Sequence, residues 1–264
     1  MWAALLACAA AGAGAAPAHV LIIVDGAANW TALAAMLPPP DAALLMTPLA
    51  VGNGASPESA SMASAMSTGC TSARRAVATA GVPLGKRARA AGLATAAVTN
   101  ACLTDPTAAA FFGRAADRYN AAGLAAAVRA ATLDIALMGA SRVFTPANAS
   151  GDACFPTTRA QLIAAARACP RNRTITGGFG DARSALAAEC LHMPFAHELP
   201  PTLPTLADMT AAALARTSAA VPATGVFIVV AQDRMDHAVH RGNHVRSITI
   251  LCYKLYYSKI ILFN

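Results

Sequence analysis

At 264 residues the chain is long enough for one large domain with a substantial core. Apolar residues make up 56%, but alanine supplies much of that, so the figure does not mark a membrane protein; charged residues are only 12%. The formal charge of +7 favours anionic partners or substrates, while Lys and Arg are scattered without a basic, aromatic-interleaved run, which argues against nucleic acid.

Residues 1–18 read as a secretory signal peptide. An apolar stretch over 2–11 is followed by small residues suited to cleavage, with no charged n-region before it. The alternative is a buried N-terminal helix. A run of β-branched residues and leucine over 19–24 predicts a buried strand ending at Asp25-Gly26. A helix is expected over 29–36, stopped by the prolines at 38–40, and another over 59–67, ended by Gly69. Further strands are expected over 93–99, 133–137 and 225–231. Further helices are expected over 107–114, 121–130, 158–168, 182–188 and 206–219. This alternation predicts an α/β fold, a largely parallel central sheet flanked by helices. Ligands of such folds bind beyond the carboxyl ends of the strands. Asp25, the stretch 99–107 and the stretch 233–240 all follow strand ends.

Seven cysteines leave at least one unpaired, and Cys154 with Cys169 or Cys190 is a candidate disulfide. The triplets starting at Asn29, Asn148 and Asn172 fit the N-glycosylation pattern. From Val245 to Asn264 there is no alanine, and three of the four tyrosines fall there. The contrast in composition marks 244–264 as a foreign tail, the alternative being a genuine strand or membrane-contacting segment.

Four polar clusters have the residue types needed to cleave a phosphate ester. Such chemistry needs a nucleophile, neutralisation of the phosphoryl oxygens and stabilisation of the leaving oxygen, which two metal ions about 4 Å apart supply. Asp236 and His240, four residues apart, can converge on one ion. Asp25 follows a strand. Ser59, in Pro57-Glu58-Ser59-Ala60, stands at a helix start, where backbone N–H groups favour phosphate. Asp105-Pro106-Thr107 precedes Arg118 by thirteen residues, counted from Asp105, and a guanidinium clamps two phosphoryl oxygens. Taken singly, each has an ordinary structural reading: a turn former, an N-cap serine, a solvated arginine, a polar pair on a helix start.

Together these clusters resemble the alkaline phosphatase family. Glu58-Ser59-Ala60-Ser61-Met62-Ala63-Ser64-Ala65-Met66-Ser67-Thr68-Gly69 is similar to the family's nucleophile motif, with Glu58 where aspartate is usual. Val24-Asp25-Gly26 resembles Gly-Asp-Gly after the first strand. The segment from Val98 to Ala110 resembles the stretch ending Asp-Ala-Thr-Pro-Ala-Ala, and Leu133 to Ala140 a structural Asp-Val-x-Leu-Gly-Gly-Gly segment. Arg234-Met235-Asp236-His237-Ala238-Val239-His240 resembles Arg-Ile-Asp-His-Ala-x-His, the most specific match. The match covers 19–243, about the first half of a family member.

The resemblance implies phosphate monoester hydrolysis through a phosphoserine at Ser59, with Arg118 on the phosphate. It implies zinc and magnesium as cofactors. Asp25, Ser59, Thr107, Asp236 and His240 are the implied metal-site residues, with Glu58, Asp105 and His237 nearby. It further implies a secreted or cell-surface protein, commonly a homodimer and in many members membrane-anchored. Two departures stand out. Ala231 occupies the position of a magnesium-ligating glutamate, and Asp233, two residues along a strand end, need not point the same way. The family's downstream Asp-His and His zinc ligands find no counterpart after His244. The expectation is therefore a truncated, incomplete domain of weak or no activity. The alternative is a catalytically dead homologue acting as a cell-surface binding protein.

Overall fold

The computed structural model describes residues 4–10, 18–25, 58–131, 133–139, 174–179, 183–188, 192–193, 195, 198–199, 204–220 and 224–240. The tail at 244–264, the helices expected at 29–36 and 158–168, the three glycosylation triplets and Cys154, Cys169 and Cys190 lie outside these residues. Among the described residues the order is β1 (Ala4–Ala10), β2 (Ala18–Val24), α1 (Ser59–Thr68), α2 (Leu84–Ala90), β3 (Ala94–Cys102), α3 (Pro106–Ala109), α4 (Ala121–Ala130), β4 (Ile135–Gly139), β5 (Thr174–Phe179), β6 (Arg183–Ala188), α5 (Leu206–Ala220), β7 (Val226–Gln232) and α6 (Arg234–His240).

Among the described residues seven strands form one sheet in the order β1-β2-β7-β3-β4-β6-β5. The pairs β2–β7, β7–β3, β3–β4 and β4–β6 are parallel, and the two edges, β1 on β2 and β5 on β6, are antiparallel. The expected largely parallel sheet is present. β7 runs between β2 and β3 and every one of its residues is buried, which explains its unbroken apolar run from Val226 to Ala231. Alternation across the pleat sends Phe227, Val229 and Ala231 into a cluster with residues of α1, α3 and α4. Val226, Ile228 and Val230 enter a second cluster with Leu206, Met209 and Ala213 of α5. The sheet is thus covered on both faces, and each fully buried Val or Ile contributes roughly 1.5–3 kcal/mol.

Three segments depart from expectation. Residues 183–188, read as helical from their alanine content, form β6, because pairing with β4 and β5 overrides a weak local preference. The helix expected over 107–114 is only the turn Pro106–Ala109; beyond it the chain bends so that Phe111 and Phe112 enter the core. Residues 4–10, which carried the leader reading or a helix, have strand backbone against β2. No described helix is long and apolar enough to cross a membrane.

Candidate active site

α1 is built almost wholly of serine, alanine and methionine, and small residues let it lie buried against its neighbours. Ser64 Oγ accepts from the Ala78 amide at 2.7 Å, and Ser67 Oγ donates to the Ala110 carbonyl at 2.8 Å. Gly69 closes the helix with φ at 72°, a conformation that a residue without a Cβ adopts at little cost. Glu58 opens it through a reciprocal cap with Ser61 at 3.3 Å each way. The helix is therefore fixed at both ends, and Ser59 is its first residue.

Ser59 is buried and its Oγ donates to Asp25 Oδ2 at 2.7 Å. Thr107 Oγ1 donates to the same Asp25 oxygen at 3.1 Å. Asp25 is held at the end of β2 by its own amide, which donates to the Gln232 carbonyl at 3.1 Å and extends the β2–β7 ladder by one residue. Burial raises the Asp25 pKa, against the lowering effect of the Ser59 hydrogen bond; nearby Asp105 raises it further.

Glu58 does more than cap. Its Oε1 accepts from the Arg75 amide at 2.7 Å, and its Oε2 takes Arg118 Nη1 at 2.8 Å. The extra methylene of glutamate therefore does not prevent an ion pair with Arg118. The Arg118 amide also donates to the Arg75 carbonyl at 2.7 Å, and both guanidinium groups lie near the Tyr119 ring. Burial disfavours the Arg118 charge, but Asp105 and Glu58 outweigh it, so its pKa is raised and it stays cationic. Arg118 in turn acts on Asp25, Asp105 and Asp236, which places all three carboxylates within its electrostatic reach.

Asp105 stands before α3, with Pro106 at the first helical position, where a missing N–H costs nothing. It is buried enough that its pKa is raised despite Arg118, and its Oδ2 lies 3.9 Å from His237 Nε2. His237 also contacts Arg234 Nη1 at 3.2 Å and packs its ring 4.4 Å from that of His192. Asp236 and His240 share one face of α6, with Asp236 Oδ2 3.3 Å from His240 Nε2. Burial, then Asp25, raises the Asp236 pKa to about 6, against the lowering effect of His240. The His240 side chain is 68% exposed, whereas Asp236 is buried.

Asp25, Ser59, Thr107, Asp105, Glu58 and Arg118 thus form one connected group at the carboxyl ends of the strands, and Asp236 with His240 borders it. Three contributors, Thr99, Asn100 and Arg75, were not singled out by sequence. Thr99 Oγ1 donates to Asp233 Oδ2 at 2.7 Å. Asn100 Oδ1 accepts from the amides of Asp233 and Arg234 at 3.1 and 3.3 Å, and its Nδ2 donates to Gln232 Oε1, clamping the turn from β7 into α6. Arg75 pairs with Asp117 beside Tyr119. Asp233 itself is 1% exposed. The sequence left open whether it points the same way as position 231. Its neighbours are Thr99, Thr107, Asp25 and Asp105, all at this cleft, because residues 231 and 233 are two apart on a strand end. Thr99 and Asn100 carry a sequence signal only in being polar at a buried strand end.

The donor set among these residues is oxygen-rich: three carboxylates, Asp25, Asp105 and Asp233, and the Thr107 hydroxyl. One of those oxygens, Asp233 Oδ1, is buried without a hydrogen-bond partner. Hard oxygen donors with an unsatisfied lone pair fit magnesium. Asp236 with His240 offers the mixed oxygen and nitrogen donors that suit zinc.

No protein-family model matches the chain, and no curated protein matches it. Its structure is similar to those of bacterial alkaline phosphatases. Against the Thermus thermophilus enzyme the identity is 24% and the TM-score 0.55, over 78% of this chain and 44% of that one. Against the enzyme from the Antarctic bacterium TAB5 the figures are 18% and 0.56, over 77% and 60%. Against the cold-active enzyme of a psychrophilic Shewanella species they are 20% and 0.57, over 91% and 64%. Two TAB5 variants, with a histidine replaced by aspartate or glutamate, are also similar and carry magnesium in their M3 site. The chain spans about half to two thirds of the length of these proteins. The fold is alkaline phosphatase-like.

Proposed function

From this alkaline phosphatase-like fold, we propose that the chain carries the nucleophile half of a metal-dependent phosphate monoesterase acting through a phosphoserine. The observation that carries the reading is the Ser59–Asp25 hydrogen bond of 2.7 Å at the start of a buried helix, beside an arginine held by Glu58. The Ser59 proton points at Asp25, so the lone pairs of Oγ are left for an incoming phosphorus. Attack by Oγ passes the serine proton to Asp25 and forms the Ser59 O–P bond as the ester P–O bond breaks, and the departing oxygen takes up a proton from water to leave as the alcohol. Water then cleaves the O–P bond, releasing inorganic phosphate and restoring the hydroxyl. Arg118, aligned by Glu58, binds two oxygens of the transferring group, and the α1 amides add a favourable dipole.

Magnesium would be held by Asp25, Thr107 and the acidic group around them, and zinc by Asp236 and His240. Bound there, they would neutralise the mutual repulsion of the carboxylates and stabilise charge on the phosphoryl and leaving oxygens. We further propose a secreted or cell-surface setting, from the leader reading.

The test is p-nitrophenyl phosphate hydrolysis at alkaline pH with zinc and magnesium supplied, comparing the chain with Ser59→Ala. Turnover by this chain alone is expected to be weak, because only two zinc-type ligands are found at the Asp236 position among the described residues. What turnover there is should disappear in Ser59→Ala, together with any acid-trapped phosphoserine at Ser59 seen by mass spectrometry. Turnover that survives Ser59→Ala would defeat the reading. Phosphate-ester binding with no turnover and no phosphoserine would favour the binding-protein alternative.

A further inference from the structure

We propose that Asp233 is a ligand of the magnesium site, completing an oxygen set with Asp25 and Thr107 in place of a side chain that Ala231 cannot provide. The inference rests on the reading of Asp25 and Thr107 as cation ligands.

Asp233 is 1% exposed, and its two carboxylate oxygens are treated unequally. Oδ2 is satisfied by Thr99 at 2.7 Å, and the Thr99 oxygen is itself fixed by the Ala101 amide at 3.0 Å. Oδ1 has no hydrogen-bond partner. A buried carboxylate oxygen without a donor is costly, and such an orphan calls for a bound ion or water. Asp105, Asp25 and the Thr107 hydroxyl lie close enough to act on the Asp233 carboxylate, though the Thr107 proton goes to Asp25 at 3.1 Å and not to Asp233 Oδ1. Arg118 acts on Asp25 and Asp105, the two carboxylates beside it.

Placement follows from the sheet. Leu21 and Ile23 of β2 and Phe227, Val229 and Ala231 of β7 share the face that packs on α1 and α3. Asp25 and Asp233 continue those two parities past the strand ends, side by side, since Val24 pairs with Gln232 and Ile23 with Ala231. Thr107, at the start of α3, donates to Asp25 and also acts on Asp233. Asn100 fixes the Asp233 amide from the other side, so the carboxylate is held by its backbone as well as by Thr99. Among the described residues no three His, Cys, Asp or Glu side chains are gathered ready for one ion. The proposed set is two carboxylates and a hydroxyl, and magnesium commonly keeps water in the rest of its octahedral shell.

The experiment strips the full chain with EDTA, dialyses it, and titrates magnesium chloride by calorimetry and thermal melting, for the wild type, Asp233→Asn and Asp25→Asn. Asparagine keeps the shape and the Thr99 hydrogen bond and removes the charge. The proposal expects magnesium to bind and stabilise the wild type. It expects Asp233→Asn to melt at least as high without metal, yet to bind magnesium more than ~100-fold more weakly, beyond the usual loss for an outer partner. That crossover separates ligation from general destabilisation. If Asp25→Asn weakens binding by more than ~100-fold and Asp233→Asn by less, this inference falls and the cation-site reading stands. If the wild type binds no magnesium, both fall. Asp233-dependent binding in a chain that never hydrolyses p-nitrophenyl phosphate supports the inference and removes only the enzymatic reading.

Discussion

Glu58 carries three jobs on one carboxylate: it caps α1, anchors the Arg75 amide and pairs with Arg118. These jobs separate by substitution. Glu58→Gln keeps an acceptor for the two amides and loses the charge opposite Arg118, a partly buried charge-assisted bond of about 1.5–3 kcal/mol at most. The expected outcome is a raised KM for phosphate esters with a melting temperature close to wild type. Glu58→Ala should also remove the cap, at about 1 kcal/mol, and lower the melting temperature. Steady-state kinetics beside thermal melting checks this; identical KM values for Glu58→Gln and wild type would show that Arg118 does not depend on the pair. Sequence named Glu58 and Arg118 but left their geometry open, because an ion pair sixty residues apart is decided by where α1 and the 114–120 turn meet.

At the scale of elements, α2 shows how close packing sets residue choice. The segment was not expected as a helix, since Lys86, Arg87 and Arg89 dilute its apolar pattern. It docks because Gly85 touches the core: its amide donates to the Phe111 carbonyl at 2.9 Å. A Cβ there would lie 2.3 Å from Phe112 Cε1 and 2.6 Å from the Phe111 carbonyl oxygen. Gly85→Ala should therefore destabilise the fold by roughly 1–3 kcal/mol, despite alanine's better helix propensity. Denaturant unfolding would measure it, and an unchanged or raised midpoint would show that α2 can shift outward freely. The strands β2, β3, β4 and β7 and helices α1, α4 and α5 were legible because their hydrophobic runs are long and bounded by turn residues. β6 was not, because its alanines favour neither state and only its neighbours decide it.

The whole molecule also has a pH response that no single element displays. Cys102 ends β3 in the core, and burial, offset in part by its bond with Thr104, pushes its thiol up to about 11. The folded state thus keeps a proton that the unfolded chain releases, so stability falls as pH rises between about 9 and 11. The full effect is roughly 3 kcal/mol. Cys102→Ala should flatten that limb of the stability curve, read from urea midpoints at pH 8 and 10.5; an equal loss in both proteins would place the alkaline sensitivity elsewhere. The sequence alone determined that this is a largely parallel α/β protein with Asp25, Thr107 and Asp236 following strand ends and Ser59 at a helix start. Strand periodicity and turn residues are local properties, and motif order survives in a linear string. Only the tertiary structure decided that Glu58 reaches Arg118, that Asn100 holds the β7–α6 turn and that Asp233 faces Asp25. Those depend on the register of β2 and β3 against β7 and on which groups are left buried without water, quantities that exist only once distant segments are packed together.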